Sequence, residues 1–78
     1  MAELLFVYLF EGSSPDVSHI AMGGAVITMC DRHTDRPGWQ RQRPPFVLTR
    51  ALFAKLTEDI EHFCPLCVRR AGQLVDLP

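Results

Sequence analysis

The stretch Cys64-Pro65-Leu66-Cys67 contains two of the three cysteines of this 78-residue chain, and the predicted fold is organised around it. Two thiols three positions apart lie on one tight turn, so both sulfur atoms can face a single metal ion. Pro65 favours that turn because its ring fixes φ. Two thiolates make only half of a tetrahedral zinc site, and the remaining ligands must therefore come from elsewhere in the chain.

A glycine pair upstream predicts a β-hairpin. Residues 17–22 and 25–30 are two strand-like runs separated by Gly23-Gly24, and glycine tolerates the positive φ of a two-residue turn. In the register that such a turn sets, His19 lies opposite Thr28. The hairpin therefore places His19 on the same face as the cysteine that ends the second run.

Cys30 is that cysteine. Two histidines, His19 and His33, are candidates for the fourth ligand. As a diagonal neighbour, His19 lies roughly 7 Å from Cys30 at the backbone, a span that one shared ion can bridge. His33 competes, because Cys30-Asp31-Arg32-His33 has the compact Cys-x-x-His spacing and requires no hairpin register. A lone histidine can also lie on a half-buried sheet face with no ligand role. The expected metal ligands are Cys30, Cys64 and Cys67 with either His19 or His33.

The remaining elements predict an α+β fold. The run Leu4–Phe10 is continuously apolar and rich in aromatic and branched residues, which indicates a central strand buried on both faces. Thr49 is a good N-cap for an amphipathic helix that ends near His62, and a short last helix starts at Cys67. We expect a small zinc-stabilised domain. Its three-stranded antiparallel sheet, made of the N-terminal strand and the Gly-Gly hairpin, packs on the amphipathic helix.

Length and composition predict one domain, residues 1–78. A chain of this size buries a modest core and often needs a metal or a disulfide to support it. Three cysteines cannot all pair within one chain, and no secretory signal is evident, so a reducing cytoplasm is expected. The apolar run at residues 4–10 is much shorter than the roughly 20 residues that cross a bilayer, which argues against a membrane protein.

Residues 31–45 predict a long arginine-rich loop, since they include several prolines and follow neither helical nor strand periodicity. Trp39 lies among these arginines and could stack on a partner while the arginines contact carboxylate or phosphate groups. Alternatively, Trp39 folds back over the small core. The expected partner-binding residues are Arg36, Trp39, Arg41 and Arg43.

Three motifs together resemble those of a known class. With His19-Ile20-Ala21-Met22-Gly23-Gly24 and Ile27-Thr28-Met29-Cys30 upstream of the Cys-x-x-Cys, the chain resembles a loose class of short zinc-finger-like proteins from actinobacteria and their phages. The resemblance implies a zinc site with ligands at His19, Cys30, Cys64 and Cys67. The chain departs from the class at Asp31, where a glycine usually follows the cysteine, and in the insertion at residues 31–63. This departure keeps His33 open as the fourth ligand.

These features favour a small non-enzymatic interaction protein. The loop is expected to bind a protein partner; nucleic acid is the alternative, which the net charge of −1 weakens because nucleic-acid modules are usually basic. Cys-Pro-x-Cys also resembles the active-site turn of glutaredoxin-like redox enzymes, but there most of the fold follows the turn, whereas eleven residues follow Cys67 here. A hydrolytic zinc site needs an open metal position and a general base, and no positioned base is evident.

Overall fold

The structure, a computed structural model, describes residues 4–12, 14–41 and 44–77. Within these residues the fold is an antiparallel sheet of four strands with two α-helices and a short 3₁₀ helix, which confirms the predicted α+β class. In chain order the elements are β1 (Leu5–Glu11), β2 (Ser14–Met22), β3 (Trp39–Arg41), β4 (Phe46–Val47), α1 (Arg50–Glu58), the 3₁₀ helix (Ile60–His62) and α2 (Pro65–Leu74).

Strand β1 is the centre of the sheet. It pairs with β2 along one edge and with both β3 and β4 along the other, all antiparallel. Four consecutive side chains of β1 are buried, although alternate residues of a strand point to opposite faces. The prediction of a central strand that is buried on both faces is therefore confirmed. The four buried side chains of β1 are those of Phe6, Val7, Tyr8 and Leu9.

The two faces of the sheet have separate apolar clusters. On the face that the helices cover, Phe6 and Tyr8 pack with Ile20 and with helix residues that include Leu56 and Val68. The other face has a smaller cluster, in which Trp39 packs against Val7, Leu9 and Ala21. The helices are thus anchored on one face only, and Trp39 is a main cover of the other.

Residues 25–30 do not form the predicted third strand. Their strand-like pairing with β2 is limited to one bridge, between Ala21 and Thr28. The chain instead turns sharply, because the Thr28 carbonyl accepts from the Asp31 N–H at 2.9 Å and the Thr28 N–H donates to the Arg32 carbonyl at 2.8 Å. Asp31 adopts a positive φ of 68° in this turn. The Thr28 N–H is therefore paired within the turn rather than with β2.

The pairing register after Gly23-Gly24 also differs from the register that a two-residue turn predicts. The Met29 N–H donates to the Ile20 carbonyl at 2.7 Å, and the bridge joins Ala21 to Thr28. Extending that register brings Cys30, and not Thr28, level with His19. The shift is by two residues, so the same side chains remain on the same face.

Part of the predicted arginine-rich loop is a strand. Trp39–Arg41 pairs with Leu9, Phe10 and Glu11 as β3, and the Gly12 N–H donates to the Gly38 carbonyl at 2.7 Å beside it. The physical reason is that the second edge of the central strand would otherwise leave its backbone groups without strand partners. The rest of the segment from 31 to 38 makes turns and one bridge, between Ile27 and His33.

Both predicted helices are present, with different limits. Thr49 caps α1 as predicted, because its side chain accepts from the Leu52 N–H at 3.2 Å. The α-helix ends at Glu58, and the 3₁₀ helix continues the chain to His62. Helix α2 begins at Pro65, two residues before the predicted start, since proline is well suited to a first helical position. No helix in the described part of the chain is long and apolar enough to cross a membrane.

Candidate metal centre

Four side chains from three separate segments converge beside β2. The ligand atoms of His19, Cys30, Cys64 and Cys67 all lie within 4.8 Å of one another. Nδ1 of His19 lies 3.4 Å from Sγ of Cys30 and 3.7 Å from Sγ of Cys67. The structure thus brings together the predicted set that includes His19. His33 is exposed and lies outside this cluster.

Two separations within the cluster match those of a tetrahedral site. A zinc ion bound at about 2.05 Å by nitrogen and about 2.3 Å by sulfur holds those two ligand atoms about 3.6 Å apart. The two observed nitrogen to sulfur distances, 3.4 and 3.7 Å, lie on either side of that value. The two nitrogen to sulfur separations are therefore compatible with one shared ion.

The outer edge of β2 brings the two halves of the centre together. The Ser18 carbonyl accepts from the Cys64 N–H at 2.9 Å, and the Ile20 carbonyl accepts from the Met29 N–H at 2.7 Å. These two carbonyls flank His19 in sequence. Backbone pairing on either side of His19 therefore places Cys64 and the turn with Cys30 next to its ring.

The Cys-x-x-Cys stretch forms the first turn of α2. Cys64 is the N-cap residue, Pro65 is the first helical residue, and Cys67 is the third. The Cys64 carbonyl accepts from the Val68 N–H at 3.1 Å, which starts the helical hydrogen bonding. The N–H groups and the dipole of a helix N-terminus favour negative charge, which would suit metal-bound thiolates at this position.

The turn that carries Cys30 is held by contacts that sequence reasoning missed. Oγ1 of Thr28 lies 3.2 Å from Sγ of Cys30. From α2, Nη1 of Arg70 donates to the Met29 carbonyl at 3.0 Å and to Oδ2 of Asp31 at 2.9 Å. Arg70 follows Cys67 by three positions, and this helical spacing was the available signal that both side chains lie on one face of α2.

Asp31 has a backbone conformation that is typical of glycine. Its φ of 68° lies in the left-handed region, which glycine adopts most readily. Aspartate is one of the few other residues found there with any frequency. The sharp turn after Cys30 is therefore compatible with aspartate, and the Asp31 carboxylate forms an ion pair with Arg70.

Burial has the largest single effect on the pKa values of His19, Cys30 and Cys67. Burial raises the pKa of the Cys67 thiol to about 12. Burial also raises the pKa of Cys30, but hydrogen bonds from Thr28 and the two other cysteines outweigh it, and the net pKa lies below the ordinary value. Burial, together with the charge of Arg32, lowers the pKa of His19, although Glu11 opposes this. The lowered pKa favours the neutral imidazole, which is the form that binds a metal ion.

All three cysteines are free thiols. Since a metal binds thiolates, an ion entering the centre has to displace the thiol protons. Three sulfur atoms and one neutral nitrogen within 4.8 Å form a donor set that soft and borderline metal ions prefer.

Trp39 is the predicted partner-binding residue that contacts this centre within the described residues. Arg36 and Arg41 are exposed, whereas Trp39 is half-buried and contacts the His19 ring edge-on, with ring centroids 5.4 Å apart. Trp39 therefore covers part of the core, as the alternative prediction for this residue stated. Arg43 lies outside the described residues.

Comparison of the chain with protein-family models, with curated proteins and with solved structures finds no match. The fold and the cluster define the class on their own: a small α+β domain with one histidine and three cysteines placed to hold a metal ion.

Proposed function

We propose that His19, Cys30, Cys64 and Cys67 bind one structural zinc ion, and that the chain is a small non-enzymatic interaction protein supported by it. The observation that carries the proposal is the spacing of the cluster, in which nitrogen to sulfur distances of 3.4 and 3.7 Å match a tetrahedral site. Thiolate-rich tetrahedral sites are typical of zinc.

A structural role follows from the number of ligands. Four protein ligands fill a tetrahedral zinc ion and leave no position for water or substrate, whereas catalytic zinc keeps one position open. The ion would join β2, the turn at Cys30 and the start of α2, which are otherwise connected by a small core. In a domain of this size the binding energy of the metal is in large part folding energy. The thiolates must stay reduced, which suits a cytoplasmic setting.

Native mass spectrometry of protein purified without added metal tests the zinc site. We expect one zinc ion per chain, and loss of tertiary structure when a chelator removes it. The double variant Cys64→Ser, Cys67→Ser should lack the ion. A metal-free folded protein with a disulfide between Cys64 and Cys67 would contradict the proposal and support thiol–disulfide chemistry instead.

The Arg/Trp surface, defined as Arg36, Trp39, Arg41 and Arg43, is the proposed contact with a protein partner. Arg32 and Arg70 are paired with Glu11 and Asp31, but Arg36 and Arg41 form no ion pair with a described residue. Their charges are therefore available to a partner. The chain as a whole has a net charge of −1, which favours a protein over nucleic acid.

Nucleic-acid binding is the second candidate, and the exposed guanidinium groups near an indole ring are the observation that favours it. Salt dependence separates the two functions. Fluorescence anisotropy with a labelled oligothymidine should show no saturable binding at physiological salt if the partner is a protein. Tight binding that is lost steeply with added salt would show several phosphate contacts and favour the nucleic-acid function.

A further inference from the structure

A charged pocket adjoins the metal centre. It has a volume of about 250 Å³, and its lining consists of Glu11, Arg32, His33, Arg36 and Trp39. Two of these residues are tied to the centre: Arg32 follows Cys30 by two positions, and the Trp39 ring contacts His19 with centroids 5.4 Å apart. The shape of the pocket therefore depends on the turn after Cys30 and on the His19 ring, which both belong to the candidate metal site.

The pocket already contains one carboxylate contact. Nη1 of Arg32 donates to Oε1 of Glu11 at 2.6 Å, and both side chains are partly exposed. Arg36 lines the same pocket and has no ion pair with a described residue. The two guanidinium groups and one carboxylate of Arg32, Arg36 and Glu11 together carry one net positive charge.

We propose that this pocket binds the C-terminal carboxylate of the protein partner. The incoming carboxylate pairs with Arg36, shares Arg32 with Glu11, and places its adjoining apolar group against the Trp39 ring. Guanidinium groups suit this role because their planar N–H donors match a carboxylate. This inference rests on the proposed interaction function and names the chemical group that is recognised.

The charge of the pocket favours a carboxylate over a phosphate. A carboxylate carries one negative charge and balances the pocket, whereas a phosphate monoester carries nearly two at pH 7. Glu11 repels the second charge at close range, and in a partly desolvated site that repulsion is not fully screened. Glu11 is therefore a selectivity group as well as a partner of Arg32.

Binding of three small probes to the zinc-loaded full chain tests the inference. The probes are N-acetyl-phenylalaninate, its neutral amide N-acetyl-phenylalaninamide, and phenyl phosphate, each followed by amide chemical shifts and by fluorescence of Trp39, the single tryptophan. We expect the carboxylate to shift residue 11 and residues 32–39 saturably. The amide should bind about tenfold more weakly, since it lacks a charge-assisted hydrogen bond. Equal affinity for the amide, or tighter binding of phenyl phosphate, would overturn the proposal.

Three variants test which charged side chains determine binding of the carboxylate probe. Arg36→Gln should weaken binding of the carboxylate probe by about fivefold or more, because it removes the unpaired cation. Glu11→Gln should strengthen it, because Arg32 loses its internal partner and the pocket gains one unit of positive charge. Arg50→Gln is the matched control, an exposed arginine at the start of α1 that should leave binding unchanged. An equal loss in Arg50→Gln would show a non-specific charge effect.

Zinc content, measured on every sample, keeps the two proposals apart. One zinc per chain with no saturable probe binding overturns the carboxylate pocket alone. A chain that binds no zinc overturns the proposed structural metal, whatever the probes show.

Discussion

Nδ1 of His19 lies 3.4 Å from Sγ of Cys30, although the two residues are eleven positions apart in sequence. The register in which the Met29 N–H pairs with the Ile20 carbonyl makes this contact possible. The same nitrogen lies 3.7 Å from Sγ of Cys67, which comes from the other half of the centre. His19 is therefore the residue at which the turn after β2 and the start of α2 meet.

Replacement of His19 tests that position. His19→Ala leaves a bound ion with three protein ligands, so we expect zinc affinity to fall by about two orders of magnitude or more, with much of the thermal stability. Competition with a chromophoric zinc chelator measures the first effect, and thermal unfolding measures the second. His33→Ala is the control, because His33 is exposed and lies outside the cluster, and its zinc affinity should be unchanged. The reverse pattern would make His33 the fourth ligand.

Arg70 is expected to act on the centre without touching the ion. It holds the Met29 carbonyl and the Asp31 carboxylate on either side of Cys30. Arg70→Met keeps a side chain of similar length but loses both contacts, and zinc affinity should fall by about tenfold, as for other groups that support ligands. Arg69→Met, at an exposed neighbouring position, should have no effect. The same chelator competition compares the two variants, and equal losses would argue against a role for Arg70.

The sequence predicted the parts of the fold that local pattern determines. A continuous apolar run identified the central strand, and a capping threonine before an apolar stripe identified α1. The pairing of Trp39–Arg41 with β1 was not predictable, because a three-residue strand has too few residues to show a period. The turn that replaces the expected strand at 25–30 depends on a positive φ at Asp31. Aspartate can adopt a positive φ, but its presence in a sequence does not predict one.

The candidate site was predicted in composition but not in geometry. Spacing and residue type pointed to the three cysteines, and the choice between His19 and His33 depended on a hairpin register. The predicted register was two residues out, and His19 still reaches the cluster because an even shift preserves the face. The supporting contacts of Arg70 join residues about 40 positions apart, so the helical spacing of Arg70 from Cys67 gives its face on α2 but not the residues that it contacts.

The thiols of the metal-free protein should differ in reactivity. The pKa of Cys30 lies below its ordinary value, whereas burial raises that of Cys67 to about 12, so almost no Cys67 thiolate exists near neutral pH. After removal of the metal, iodoacetamide should label Cys30 faster than Cys67, as followed by peptide mass spectrometry. Zinc-loaded protein should be protected at both positions. Equal rates in the metal-free sample would show that the centre opens when the ion leaves.

Trp39 should contribute to stability as well as to binding. It is half-buried against Val7, Leu9 and Ala21, so Trp39→Ala removes the cover of this sheet face. We expect a loss of about 2 kcal/mol in the free energy of unfolding, less than for a fully buried aromatic residue. Arg41→Ala, at an exposed position of the same strand, should change stability by less than about 0.5 kcal/mol. Denaturant unfolding of zinc-loaded protein measures both, and an unchanged Trp39→Ala variant would make Trp39 a surface residue only.

Gly72 permits close packing between the two helices. It lies within α2, and a Cβ atom built there would clash with Cε1 of Phe53 on α1 and lie 3.1 Å from both Cδ1 and Cζ of that ring. Alanine is intrinsically about 1 kcal/mol better than glycine inside a helix. We nevertheless expect Gly72→Ala to destabilise the protein by about 1–3 kcal/mol, because the ring must move out of a packed position.

A double-mutant cycle with Phe53→Leu identifies the cause of that loss. If the clash with the Phe53 ring is responsible, Gly72→Ala should cost much less, or even stabilise, once the smaller leucine replaces phenylalanine at position 53. Chemical unfolding of zinc-loaded wild type, both single variants and the double variant gives the coupling energy. Additive losses would show that the methyl group at position 72 acts on something other than Phe53, and would contradict the helix contact on which this prediction rests.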